Sequence, residues 1–401
     1  MMSFYLILFF YFAGLGANLS SLSPYLISYF GKNSEWIFVS IQLMVPLGTL
    51  FAGWISDKTK KIRVFLYYSL FFTIPAQYFL FSFPENWVYT LFFAAILRFI
   101  LSANYQWIAI AVLEKIGEHE FSKVRSSGTL GFLLVQLLLY ALTSPLMEVF
   151  NSPELTGRFG SIFYILPLLL NHKVPENRTS EQEFRFKDAI QLIQKKEILY
   201  FFILSFFYYA GYQVTDNYQG RYFQISFGLD SVYLSWVFAV ILEVPFLLLI
   251  TRIVHKFNFF ILFYLSIIAG IVRFGFLSYS VIGTSIYEVL IFQLPHAILF
   301  AGYYMGGLHF LRKLVPNHLF GSVYGLFSIF TMSLGGMVGN IISSNLLHSN
   351  FGIILVNYIS IKDIIPGKVE FLPVFIFTTF IFISIFPFFI KLNKMIITQK
   401  K

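Results

Sequence analysis

The sequence predicts an all-α polytopic membrane protein, with twelve transmembrane helices in two pseudo-symmetric six-helix bundles. Three observations carry that expectation. The 401 residues are 58% hydrophobic and only 12% charged, with a mean hydropathy of +0.75. Apolar runs long enough to cross about 30 Å of hydrocarbon recur from end to end, and no soluble domain can be cut out between them. One long charged stretch near the middle separates the runs into two sets of six.

The spans are expected near residues 4–30, 34–56, 62–82, 87–113, 122–143, 157–171, 198–220, 229–250, 257–280, 285–311, 320–346 and 371–390. The first has no basic leader and no small-residue cleavage site, so it reads as a retained span rather than a signal peptide. This gives an N-terminal bundle over 1–171, a cytoplasmic linker over 172–197 and a C-terminal bundle over 198–401. Within the linker, Phe186, Ala189, Ile190 and Ile193 repeat at helical spacing among polar residues. That suits a short amphipathic helix on the inner surface as well as it suits a solvated connector. The absence of cysteine excludes disulfides and thiolate metal sites. No metal-ligand cluster, nucleophile motif or phosphate loop is present either, and no cofactor is expected.

A net charge of +9 raises the question of nucleic acid, but the distribution of that charge speaks for topology. Most of the 28 Lys and Arg fall on the side that also holds both termini. They include Lys58, Lys60, Lys61 and Arg63 after the second span, Lys115, Lys123 and Arg125 after the fourth, and Lys173, Arg178, Arg185, Lys187, Lys195 and Lys196 in the linker. The opposite side has Lys32, Arg158, Arg221, Lys362 and Lys368. The positive-inside rule then puts both termini in the cytoplasm, in what reads as a bacterial cytoplasmic (inner) membrane. The expected partners are a small-molecule substrate, protons and the lipid bilayer, with no nucleic acid and a monomeric chain.

An offset of 197 residues aligns Tyr11, Ala13, Gly14, Tyr25, Phe30 and Gly31 with Tyr208, Ala210, Gly211, Tyr222, Phe227 and Gly228. Such a match between the first and seventh spans is what two parallel repeats predict. Glu243, Arg273 and His296 stand one apiece inside three successive apolar runs. An ionisable side chain at that depth costs about 2.5 to 3.5 kcal/mol on insertion scales, so it usually faces a cavity, a partner or a translocation path. Glu243 is the candidate proton site. Arg273 and His296 fit as its modulators, one permanently charged and one that changes charge near neutral pH. A static buried Glu–Arg pair with a hydrogen-bonded histidine fits the same three residues. Gly335, Gly336 and Gly339, and Gly302 with Gly306, have the spacing of close helix packing.

After the second span stands Gly53-Trp-Ile-Ser-Asp57-Lys58, followed by Lys60 and Lys61. This resembles the signature loop of the major facilitator superfamily, in which a small residue lets helices approach and the Asp can cap a helix N-terminus. Phe121-Ser-Lys-Val-Arg125-Ser-Ser-Gly128-Thr129-Leu-Gly131-Phe132 is similar to the fifth helix of the branch containing lactose permease, the nucleoside permeases and the phenylpropionate permease. Leu242-Glu243-Val244-Pro245, Arg273 and Gln293-Leu-Pro-His296 match that branch as well. The resemblance implies a major facilitator fold working by alternating access, driven by the proton gradient.

On a helix Arg125, Thr129, Phe132 and Gln136 form one stripe. In the nucleoside permeases residues of the first three types look to be substrate contacts, the cation and hydroxyl binding sugar or base and the ring stacking. Snorkelling at the cytoplasmic end is another reading of Arg125, and ordinary core another of Phe132. Gln213 and Asp216 lie three apart on the seventh span, where the nucleoside permeases resemble them with Gln and Asn. Lactose permease instead pairs acidic residues there with lysines, and no such lysine stands here, since Gln293 and Met332 occupy those places. Ile110 likewise replaces its galactoside-binding carboxylate. A proton-coupled symporter of a nucleoside is therefore expected, ahead of a sugar, oligosaccharide or aromatic-acid symporter. A polytopic membrane enzyme using Glu243 and His296 as acid and base is the remote alternative.

Overall fold

In hydrocarbon every backbone N–H and C=O must be paired inside the chain, and a helix does this within one segment. The computed structural model describes residues 1–116, 118–147, 149–177, 186–281, 283, 285–354 and 366–398, and these are helical almost throughout. The chain divides into two compact units, Met1–Glu183 with Gly228–Val237, and Phe184–Phe227 with Phe238–Lys401.

The first unit contains α1 (Met2–Phe30), α2 (Ser34–Thr59), α3 (Arg63–Leu80), α4 (Trp87–Ile116) and α5 (Glu118–Thr143). α1 stops at Gly31, whose φ of +49° lies in the left-handed region open to glycine. The sixth span is α6 (Pro153–Phe159), a 3-10 segment (Gly160–Tyr164) and α7 (Ile165–Leu170). It begins at Pro153 rather than the expected 157, because an extended Ser152 followed by proline is a ready helix start. α1 lies along α5, and α4 along both α2 and α3. Gly131 marks the α1–α5 contact, since a Cβ there would stand 1.9 Å from the carbonyl oxygen of Phe9. The start of the linker is pinned to this unit: Arg63 Nε donates to the Val174 carbonyl at 2.7 Å, and Asn171 Nδ2 to the Arg63 carbonyl at 3.0 Å.

Beyond the linker come α8 (Phe186–Ile193), α9 (Lys196–Asn217), α10 (Gln219–Phe227), α11 (Leu229–Val240), α12 (Glu243–Phe257) and α13 (Phe260–Ser280). The tenth span is α14 (Ile286–Ile291), a π segment (Ile298–Gly302) and α15 (Tyr303–Leu314). The eleventh is α16 (Asn317–Phe327), a π segment (Ser328–Gly335) and α17 (Gly336–Leu347). α18 (Pro366–Val369) and α19 (Leu372–Thr398) end the described chain. The linker helix is real, and α8 packs against α16. Residues 228–237 of α11 belong to the first unit. There Tyr233 is fully buried, its hydroxyl 2.6 Å from Thr156 Oγ1, and its ring joins a core of Ala13, Ala17, Val135 and Leu139.

The internal repeat is visible in side-chain contacts within each unit. The Tyr11 hydroxyl donates to the Leu101 carbonyl at 2.5 Å, and its repeat partner Tyr208 donates to the Leu299 carbonyl at 2.6 Å. As α5 meets α1 through Gly131, so α17 meets α9 through Gly339, where a Cβ would stand 2.1 Å from the Ala210 carbonyl oxygen. Among the described residues, eight helical stretches are long and apolar enough to cross a membrane, and the first of them, Met2–Ser56, holds two spans. The remaining expected spans, the third, sixth and tenth, are short or interrupted helices.

The sequence reading expected unbroken spans in the second half, but four are interrupted. The seventh breaks at Tyr218, the eighth at Ile241 and Leu242, the tenth between Ile291 and the π segment, and the eleventh passes through a π segment. Two of these breaks have a direct cause. Pro245 has no N–H to give the carbonyl of Ile241, and Pro295 has none for Ile291.

Candidate functional site

α5 turns the Arg125 stripe inward. Thr129 is buried, Phe132 is only 9% exposed and Gln136 is fully buried, whereas Leu130, Leu134, Leu137 and Leu138 on the opposite face are exposed. Phe132 therefore does not face lipid. Its ring meets that of Trp236 edge-on, with centroids 5.6 Å apart and planes at 67°. Among the described residues neither amide atom of Gln136 has a hydrogen-bond partner.

Arg125 is half-buried and held by aromatic rings. Its guanidinium lies 4.0 Å from the centre of the Phe12 ring, and its Nε donates to the Tyr105 hydroxyl at 3.3 Å. The Tyr105 and Phe12 rings are 5.8 Å apart and perpendicular. Such a seat stabilises a cation through the ring quadrupole. Gly128 makes room for it, since a Cβ there would stand 2.5 Å from the Phe12 ring and 3.1 Å from Arg125 Nη1.

The second unit assembles a different constellation. Gln213 is buried and Asp216 half-buried on the last turns of α9, just before the break at Tyr218. Glu243 is buried at the first position of α12, where the eighth span restarts, and His296 follows the Pro295 break in the tenth. Interrupted backbone at membrane depth is tolerated where it lines a cavity or is covered by protein, and in transporters it marks binding regions.

Arg273, from the middle of α13, is fully buried. Its Nε donates to Gln293 Oε1 at 3.0 Å, Nη1 to Thr215 Oγ1 at 3.0 Å and to His296 Nδ1 at 2.7 Å, and Nη2 to Gln219 Oε1 at 2.6 Å. A guanidinium can only donate, so His296 accepts at Nδ1 and carries its own proton on Nε2. None of the four partners is a carboxylate, and the pairing of Arg273 with Glu243 that one reading of the sequence offered is not what fills the guanidinium. The His296 ring stacks with Tyr212 at 5.9 Å and Phe300 at 6.2 Å.

In the loop after the second span, Lys58 is exposed, with its Nζ 5.3 Å from the Trp54 ring. Gly53 departs from expectation. A Cβ there would meet no described atom within 4 Å, so no close helix contact is made there among the described residues. The side chain of Asp57 lies outside the described residues, as do Arg178, Arg185 and Lys362. Gly302 and Gly306 do make a packing face, their Cβ positions 2.5 Å from Ser266 Oγ and 3.0 Å from the Phe263 ring.

The sequence reading missed Phe12, Tyr105 and Trp236 in the first unit, and Thr215 and Gln219 in the second. Aromatic residues are too common in this chain to stand out, with 52 Phe and 25 Tyr. Gln219 carried a usable signal, being an amide close behind Gln213 and Asp216 in an apolar span.

Paired helical repeats, interrupted spans and polar side chains turned inward are features of a membrane transporter with the major facilitator fold. Residues 1–358 match the model of the MFS_1 like family, and the chain belongs to that family. Among curated proteins it is similar to the nucleoside permease NupG of Escherichia coli (strain K12), 23% identical over 245 residues. That stretch is 57% of this chain and 57% of the permease. The NupG of Shigella flexneri matches equally. Among solved structures, the nucleoside transporter NupG aligns with a TM-score of 0.79 at 17% identity, over 98% of each chain. A D-xylose-proton symporter aligns at 0.71 and 15%, over 95% of this chain and 97% of that one.

Proposed function

We propose that this chain is a proton-coupled nucleoside symporter of the cytoplasmic (inner) membrane, working as a monomer with both termini in the cytoplasm and needing no cofactor beyond the proton gradient. The observation that carries this reading is the inward stripe on α5, where a ring-seated cation, a hydroxyl and a buried aromatic ring follow one another along one helix face. A nucleoside offers matching chemistry: acceptors for Arg125 and Thr129 on ribose or base, and a flat ring for Phe132. Gln213 and Asp216 on α9 are further proposed substrate contacts, with side chains able to donate and accept hydrogen bonds. The similarity to nucleoside permeases in sequence and in fold supports the same substrate class.

Glu243 is the proton carrier in this reading, because its carboxyl is buried at a helix restart and can exchange a proton as access alternates. Arg273 and His296 adjust that exchange from the neighbouring constellation, while Gly53, Asp57 and Lys58 belong to the moving loop at the cytoplasmic ends of the helices.

The substrate is tested by counterflow in proteoliposomes loaded with uridine. Adenosine and cytidine should compete with external uridine, since stacking tolerates purine and pyrimidine alike. Competition by lactose or phenylpropionate, with none by nucleosides, would overturn the substrate and leave the transporter intact.

A further inference from the structure

The seventh span is two helices. α9 ends at Asn217 and α10 begins at Gln219, with Tyr218 between them at φ −125° and ψ −31°. Arg273 reaches this break from α13 and bonds to both sides of it: Nη1 to Thr215 upstream and Nη2 to Gln219 downstream. Two further bonds, to Gln293 and His296, fix the guanidinium itself. Arg273, Thr215, Gln219 and Gln293 are 0% exposed and His296 3%. Within the gap, Asn217 Nδ2 donates to Asn340 Oδ1, and the Tyr218 hydroxyl donates to the Asn340 carbonyl at 3.0 Å.

Bonds from a charged donor are the strong ones in a water-poor interior. A rigid, planar guanidinium with two terminal nitrogens can hold two points at a fixed separation, which a lysine cannot. The break at Tyr218 has no proline to fix its angle; backbone bonds from Tyr218 N to the Val214 carbonyl at 3.1 Å and from Tyr222 N to the Tyr218 carbonyl at 3.2 Å enter and leave it, and the side-chain bonds on either side bridge it.

We propose that Arg273 is a staple across the break in the seventh span, with Thr215 and Gln219 as the positioning residues it grips. Releasing Gln219 frees α10 to pivot about Tyr218. The residues on the upstream lip of the break are Gln213 and Asp216, so the staple also sets how these two side chains are presented. That last step rests on their proposed role as substrate contacts; the staple does not.

The chain has no cysteine, so one introduced thiol reports without background. Ser226→Cys lies on α10 beyond the break, and Ser278→Cys on α13 serves as the reference. With N-ethylmaleimide and no substrate, Gln219→Leu should speed labelling of the Ser226→Cys protein about tenfold, the scale of one lost bond to a charged group. Labelling at the reference position should not change. Gln219→Glu keeps an acceptor for Nη2 and should label like the parent. Thr215→Val removes the upstream grip at constant shape and should act as Gln219→Leu does, and it decides the matter if the leucine variant fails to reach the membrane. Unchanged labelling in the leucine and valine variants, or equally fast labelling in the glutamate variant, would overturn the staple. Because no substrate is present, a failure of nucleoside transport would not alter this result.

Discussion

Substituting alanine for Gly128 should damage substrate binding through a residue that touches no substrate. The added Cβ would stand 2.5 Å from the Phe12 ring, whereas ordinary contact begins at 3.4 Å, so the ring has to retreat by about 0.9 Å. It cannot do so freely, because it is buried and packed edge-on against Tyr105 and Tyr11. The ring is also the seat of the Arg125 guanidinium at 4.0 Å, and Nη1 itself would lie 3.1 Å from the new methyl group. A partly desolvated cation–ring contact is worth about 1 to 2 kcal/mol. Losing it should raise the half-saturating concentration for uridine by about 5- to 30-fold. Counterflow measures this without any energy source, so the change isolates the binding site from proton coupling. Overpacking of this kind costs folding about 1 to 3 kcal/mol, which a well-packed bundle survives. Phe12→Leu removes the clashing ring edge, and in that background Gly128→Ala should add little further loss. An affinity within twofold of the parent for Gly128→Ala alone would refute the idea that Phe12 seats Arg125 for binding.

Three further expectations follow from other parts of the molecule. Glu243→Gln should abolish pH-driven accumulation while uridine counterflow persists, because the amide keeps the shape but cannot cycle a proton; undiminished uphill uptake would remove Glu243 from the coupling step. Phe132→Ala should weaken uridine binding by about 1 to 3 kcal/mol, the range for base–aromatic stacking, and Phe132→Trp should be tolerated better or shift preference toward sugars; equal affinity for the alanine and parent proteins would exclude stacking. Tyr11→Phe and Tyr208→Phe each delete one buried hydrogen bond at repeat-related places and should lower stability by about 1 kcal/mol apiece, as read by thermal unfolding in detergent. A large loss for one and none for the other would break the equivalence of the repeats.

How far the sequence carried depends on the range of each signal. Span existence is written in hydropathy, which is local, and each of the twelve expected spans holds helix among the described residues. The breaks in the eighth and tenth spans were legible too, although these spans were expected unbroken, because Pro245 and Pro295 each strike one backbone bond from a helix. The break at Tyr218 was not, since no proline stands there and its stabilising contacts come from α13 and α17. The same limit applies to the sites. Periodicity alone turned Arg125, Thr129 and Phe132 to one face of α5, but the rings that seat Arg125 lie 113 and 20 positions away in the chain. For Arg273 the sequence invited a carboxylate partner, because charges stand out in an apolar chain. The structure surrounds it with amides, a hydroxyl and an imidazole, whose polarity is easily overlooked at membrane depth. Gly53 shows the converse, where a family-like spacing is present but no close contact is made at that residue among the described atoms.

Proton movement during uridine transport tests the central claim most directly. Proteoliposomes carrying a pH-sensitive dye inside, with no imposed gradient, should acidify when uridine is added outside, and should not do so in the Glu243→Gln variant. An imposed inward proton gradient should drive uridine above its external concentration in the same vesicles. Uridine entry with no internal acidification, and no accumulation under the gradient, would contradict proton-coupled symport.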